Sequence, residues 1–190
     1  MAFYSNHEIQ LLGFRRLGKN VLLSKLTSIY HPENISIDDN TRIDDFCILS
    51  AGEGGIHIGK HVHIACYSSL IGRGKITISD FANISSRVSI YSSNDDYSGN
   101  TMSNSTIPEI YKNVMHADVF IDRHVIISSN TVILPATNIH LGAVVGAFSF
   151  VKKDVPSFEV FAGVPAKFIK QRNNKLLEVE TQFLKDQQSK

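Results

Sequence analysis

The chain has 190 residues, with 19 Lys and Arg against 18 Asp and Glu, a net charge of +1 and 43% hydrophobic residues. That balance offers no electrostatic case for nucleic acid or an anionic membrane, and no apolar run approaches the ~20 residues needed to cross a bilayer. The size suits one well-buried domain, 1–190. Two cysteines, Cys47 and Cys66, make no disulfide framework. The opening Met-Ala-Phe-Tyr-Ser-Asn-His-Glu lacks the basic-then-apolar plan of a signal peptide. The expected setting is therefore the reducing cytoplasm.

Residues 1–30 read as a leader. Ser5 followed by Glu8 is a capping box, and Ile9 and Leu12 share one side of a short helix that Gly13 can end. From about Ile35 a six-residue clock begins. Ile37, Ile43, Ile58, Ile64, Ile78 and Ile84 are each followed four residues later by a small or β-branched side chain: Thr41, Cys47, Val62, Ser68, Ala82 and Val88. The clock is strictest downstream, where Ile121, Ile127, Ile133, Ile139, Val145 and Val151 are paired with Val125, Thr131, Thr137, Ala143, Ser149 and Val155. A helix repeats at about 3.6 residues and a half-buried strand at about 2, so a period of six fits neither as a long element. It fits triangular coils with the aliphatic residue inward and the small residue where the interior narrows, the signature of a parallel β-helix.

Two slips in the clock, after Leu49 and after Leu70, coincide with Gly52, Gly54, Gly55, Gly72 and Gly74 and read as bulges at coil corners. The clock stops altogether over 91–118, a stretch rich in Ser, Asn, Asp and Gly, then resumes in register. A long loop inside a compact repeat is usually functional, so it is expected to protrude as an arm from a β-helix spanning 31–170. Residues 171–190 form a terminal helix, with Leu176, Leu177, Val179, Phe183 and Leu184 at helical spacing, expected to cover the open end of the coil. Outer positions such as Ile126, Phe148 and Phe150 are apolar enough to favour three-fold association.

Three segments in the last third carry a family resemblance. Ile133-Leu-Pro-Ala-Thr is followed by Val145-Gly-Ala-Phe-Ser-Phe-Val-Lys-Lys-Asp-Val-Pro and then Phe161-Ala-Gly-Val-Pro-Ala-Lys. Together they resemble the signature region of the hexapeptide-repeat acyltransferases of the galactoside and xenobiotic group. The opening, with Phe3-Tyr-Ser, Leu12-Gly-Phe and Arg42-Ile-Asp-Asp-Phe-Cys-Ile-Leu-Ser, is similar to a branch serving O-antigen and capsule synthesis on nucleotide-linked sugars. The resemblance implies an all-β fold: a left-handed parallel β-helix, trimeric, using acetyl-CoA, with active sites between subunits. It places Ser129, Ala147, Lys152, Lys153, Lys167 and Lys170 along the coenzyme A groove. There the lysines would meet the anionic end of the cofactor as point charges.

In the family's O-acetyltransferases a histidine stands where the chain enters the loop, and here that position holds Asp95, beside Asp96. An ordinary aspartate has a pKa of about 3.9 against about 6.5 for histidine, and it is a poor base for a sugar hydroxyl. An amine needs less help, so the exchange tilts the expectation towards N-acetylation of an amino-deoxy sugar on a nucleotide, for example dTDP-4-amino-4,6-dideoxyglucose. Asp95 would deprotonate or orient the amine, Asp96 would assist or shape the loop, and Asn94 and Tyr97 would position the sugar. Asn-Asp-Asp-Tyr-Ser-Gly is also ordinary turn chemistry. His116, on the loop's return, is an alternative base and keeps a sugar O-acetyltransferase in play. A third reading is a non-catalytic β-helix scaffold. His57, His61 and His63 cluster in sequence, but their spacing does not match the zinc-binding β-helices, so no metal is expected.

Overall fold

The computed structural model describes residues 2–188. Its wall is a left-handed β-helix of about seven turns, built from three parallel sheets. On the first face Ile37, Ile58, Ile78, Ile121 and Ile139 stand in register. The second stacks Leu23, Ile43, Ile64, Ile84, Ile127 and Val145. Ile29, Leu49, Leu70, Ile90, Ile133 and Val151 line the third. All of these are buried except Ile29, which is partly so, and each fully buried aliphatic side chain contributes about 1.5–3 kcal/mol. The small residue four places on is often a hydroxyl for a polar reason: it bonds a corner carbonyl that the coil would otherwise leave bare. Thr41 Oγ1 donates to the Gly59 carbonyl at 2.7 Å, Ser68 Oγ to Ser85 at 2.9 Å and Thr131 Oγ1 to Gly146 at 3.2 Å.

Between nearly every inward aliphatic and its small partner the chain turns through a left-handed residue, the pair Val151 and Val155 being an exception. Asn40, Phe46, His61, Tyr67, Phe81, Arg87, His124, Asn130, Ala136 and Phe148 all have φ between 55° and 62°. For a residue other than glycine this costs roughly 1–2 kcal/mol. Stacking along the corners offsets part of that cost. His61 lies on Phe81 and Phe81 on His124, with ring centroids 5.2 and 5.0 Å apart. On another corner Phe46 stacks on Tyr67 at 5.0 Å, and the Arg87 guanidinium sits 4.7 Å over the Tyr67 ring.

Three expectations shift. The first coil begins inside the stretch read as a leader, at Arg16–Leu17, which pairs with Ser36–Ile37. Leu17, Leu23 and Ile29 already keep the six-residue clock, with leucine where later coils use isoleucine. Ahead of it, α1 (Asn6–Gln10) carries the expected capping box between Ser5 and Glu8, and Ile9 is buried. The terminal helix α2 (Leu176–Gln188) does not cover the end of the coil. It lies along the first corner, where Phe183 packs edge-on against His61 and Phe81, and Glu180 pairs with Arg123 and His124. Phe148 occupies a left-handed corner rather than a flat face. Ile126 and Phe150 are, as expected, strand residues with partly exposed outer side chains.

Candidate active site

Gly72 lets the arm leave the wall. Its φ is +147°, and a Cβ there would fall 2.2 Å from Ser92 Oγ. Ser92 uses that room, burying its hydroxyl to donate to the Gly74 carbonyl at 2.7 Å. The outgoing and returning strands then pair antiparallel, Ser93 opposite His116 and Asn94 opposite Met115. Alternate residues of such a ribbon share a face, so Ser93, Asp95, Val114 and His116 point one way. They form one wall of a cleft of about 470 Å³ whose floor is the coil corner from Ser50 to Gly52 and from Ile71 to Arg73.

Two expected reactive groups, Asp95 and His116, thus come together in one cleft. Ser93 steers the imidazole: its Oγ accepts from the Arg73 backbone N–H at 2.8 Å and is hydrogen bonded to His116 Nδ1 at 2.8 Å. Asp95 is exposed, with its carboxylate free to meet a ligand cation. Asp96 faces away from this chemistry. Its carboxylate accepts from the Ser98 backbone N–H at 2.8 Å, Ser98 Oγ at 2.9 Å and Thr101 Oγ1 at 2.9 Å. These bonds, the backbone one foremost, hold its carboxyl below the usual aspartate range. Asn94 and Tyr97 lie outside the cleft lining, and the Tyr97 hydroxyl donates to Asn94 Oδ1 at 3.0 Å.

The residues expected to hold the acyl donor fall into three places. Lys152, Lys153 and Lys167 converge on a second cleft of about 400 Å³, beside Phe161, Ala166 and Phe168. Ser129 and Ala147 sit on successive coils at the second corner, where the Phe148 N–H donates to the Ser129 carbonyl at 3.0 Å. Lys170 is on the exposed antiparallel strand Lys167–Gln171, opposite Val160. The clustered histidines are otherwise engaged: His63 Nε2 lies 2.9 Å and His57 Nε2 3.8 Å from the carboxylates of Asp44 and Asp38, and His61 is in the corner stack. Arg73, Glu109 and Lys112, all in the first cleft, escaped the sequence reading. Arg73 hides in a glycine corner, and the other two lie in the arm, where no period marks which side chains turn inward.

A hexapeptide β-helix with an arm-walled polar cleft and a lysine-lined groove defines an acyltransferase of the hexapeptide-repeat class. No protein-family profile matches the chain, but individual proteins do. It is 54% identical over 183 residues to a dTDP-4-amino-4,6-dideoxy-D-glucose acyltransferase of Escherichia coli, across 96% of this chain and 95% of the relative. The chain belongs to that acyltransferase family. Among solved structures it is similar to AntD, an N-acyltransferase from Bacillus cereus. One AntD structure, with dTDP and 3-hydroxybutyryl-CoA, gives a TM-score of 0.92 at 46% identity over 99% of this chain and 100% of that one. Another, a serine variant with dTDP-4-amino-4,6-dideoxyglucose and coenzyme A, gives 0.93 at 46% over 97% and 98%.

Proposed function

We propose that the protein transfers an acetyl group from acetyl-CoA to the 4-amino group of dTDP-4-amino-4,6-dideoxyglucose, for O-antigen or capsule synthesis. The observation that carries this reading is Asp95 on the cleft face of the ribbon, where a hydroxyl-acetylating relative would need a stronger base. The amine nitrogen attacks the thioester carbonyl, the carbon–sulfur bond breaks, and coenzyme A leaves as its thiol. The proton released by nitrogen passes to the Asp95 carboxylate, which also draws the amine into place. Lys152, Lys153 and Lys167 meet the anionic end of the donor, with Lys170 on the same strand as Lys167. Ser129 and Ala147 offer backbone groups to pantetheine. Asn94 and Tyr97, hydrogen bonded to each other outside the cleft lining, brace the arm, and Asp96 keeps its turn.

AntD supports the assignment of Asp95 indirectly. Its ligand complexes include variants at an aspartate and at a serine ten residues before it. Here Asp95 and Ser85 have the same spacing. Ser85 follows the strand Asn83–Ile84 on another wall and is absent from the Asp95 cleft. A site using both draws them from neighbouring copies, which fits a homotrimer closed through the exposed corner of Phe46, Tyr67 and Phe148. No helix among the described residues is long and apolar enough to cross a membrane, and the setting proposed with this reading is the cytoplasm.

His116 in the same cleft favours a second reading, sugar O-acetylation with histidine as base. Thiol release from acetyl-CoA with paired acceptors decides between them. Turnover is expected with the dTDP-linked 4-amino sugar and not with its 4-hydroxyl counterpart. Equal turnover with the hydroxyl sugar would overturn the amine reading.

A further inference from the structure

The first cleft carries more positive charge than capture of an amine requires. Arg73 stands on its floor, and Lys112 closes it from the arm, just after the single turn Glu109–Tyr111. The Lys112 side chain keeps only 6% of its surface, and its Nζ lies 2.9 Å from the carboxylate of Glu109, whose own side chain is 72% exposed. Arg73, half exposed itself, is likewise paired with an exposed carboxylate, its Nη2 2.8 Å from Glu53. A buried ammonium is costly to leave unpaired, whereas a solvent-facing carboxylate loses little by moving away. The carboxyl of Glu109 is held below its usual range chiefly by Lys112, with further attraction from Arg73 and His116. Arg73 and Lys112 therefore line one cleft, each paired with an exposed carboxylate, and Glu109 occupies the Lys112 side of it.

We propose that Arg73 and Lys112 form the clamp for the diphosphate of the nucleotide-linked sugar, and that Glu109 fills this anion site until substrate displaces it. The inference rests on the nucleotide-sugar reading above. A diphosphate brings more charge than one carboxylate and suits the planar fork of arginine. With the diphosphate held at the Arg73 and Lys112 side, the sugar lies in the part of the cleft walled by Asp95 and His116. Glu109 then acts as a specificity element, since a neutral sugar cannot dislodge it.

Calorimetric titration of the full-length protein with dTDP, thymidine, inorganic diphosphate and coenzyme A tests this. Arg73→Gln and Lys112→Met should each weaken dTDP and diphosphate by about tenfold or more, the range expected for losing a hydrogen bond to a charged group. Thymidine and coenzyme A should bind as before. Glu109→Gln, whose amide oxygen can still accept from Lys112, should tighten dTDP severalfold, with its folding checked by the melting temperature. dTDP affinity unchanged in Arg73→Gln and Glu109→Gln, with the wild type binding dTDP, would overturn the clamp. Wild-type protein that binds diphosphate through these residues but gains nothing from the thymidine moiety would uphold the clamp and overturn the nucleotide reading. Binding of neither would sink both.

Discussion

The wall and the arm are held by different forces. Along the wall, buried aliphatic side chains repeat in register through every coil, and each backbone strand is bonded to the coils above and below. In the arm, between Ser93 and Ala117, no hydrophobic side chain is buried among the described residues. The arm relies on short side-chain bonds to its own backbone, such as Asp96 to Ser98 and Asn104 to Thr106. The coil therefore carries the buried core, and the arm carries Asp95 and His116.

The strongest way to break that comparison is in the wall. Ile84→Ala removes a fully buried side chain from the second face and should lower unfolding free energy by about 2–5 kcal/mol, read as a shifted urea midpoint. Turnover per folded molecule at a permissive temperature should hold. A loss of turnover equal to that of an active-site variant would show that wall and arm are coupled.

Asp95→Asn sharpens the comparison from the other side. Loss of a general base costs about 10²–10⁴-fold in rate, so kcat should collapse while Tm stays within a degree or so of wild type. Near-normal kcat would remove Asp95 as proton acceptor and leave it at most substrate placement.

The smallest effect concerns the arm's own brace. Asp96→Asn should speed protease cleavage within the arm and leave the thermal transition of the wall in place. Because the folded Asp96 carboxyl is depressed, its contribution is fully present above the ordinary aspartate value of about 3.9 and is lost as pH falls below it. Wild-type arm cleavage by an acid-active protease should therefore accelerate below that value, and the Asn variant should be fast throughout. A variant arm as resistant as wild type would mean that Thr101 and its neighbours hold the turn without the carboxylate.

Much of the wall was legible in the sequence because each coil repeats one local rule: an inward aliphatic, then a small residue four places on. The corner residue three places on obeys a rule too, a left-handed backbone, but Asn, His, Phe, Tyr, Arg and even Ala satisfy it. That corner could not be recognised by residue type. The leucines of the first coil were in period and were missed only because the later coils use isoleucine. Asp95 stood out because the family resemblance leads one to expect a base at that position, and Lys152, Lys153 and Lys167 because they sit in the stretch that carries the resemblance.

Period in the sequence alone determined a hexapeptide β-helix and an interrupted coil with a protruding arm, and the family resemblance added Asp95, Asp96 and His116 as the groups to watch. Only tertiary structure decided that the antiparallel pairing of Ser93–Asn94 with Met115–His116 turns Asp95 and His116 into one cleft. It also decided that Asp96 serves the turn, that α2 lies on the side of the coil, and that Lys112 is buried against Glu109. The physical reason is the reach of the interactions. Coil formation is specified by neighbours a few residues apart, whereas the cleft depends on ribbon register and on charges brought together from the wall and from an arm without period.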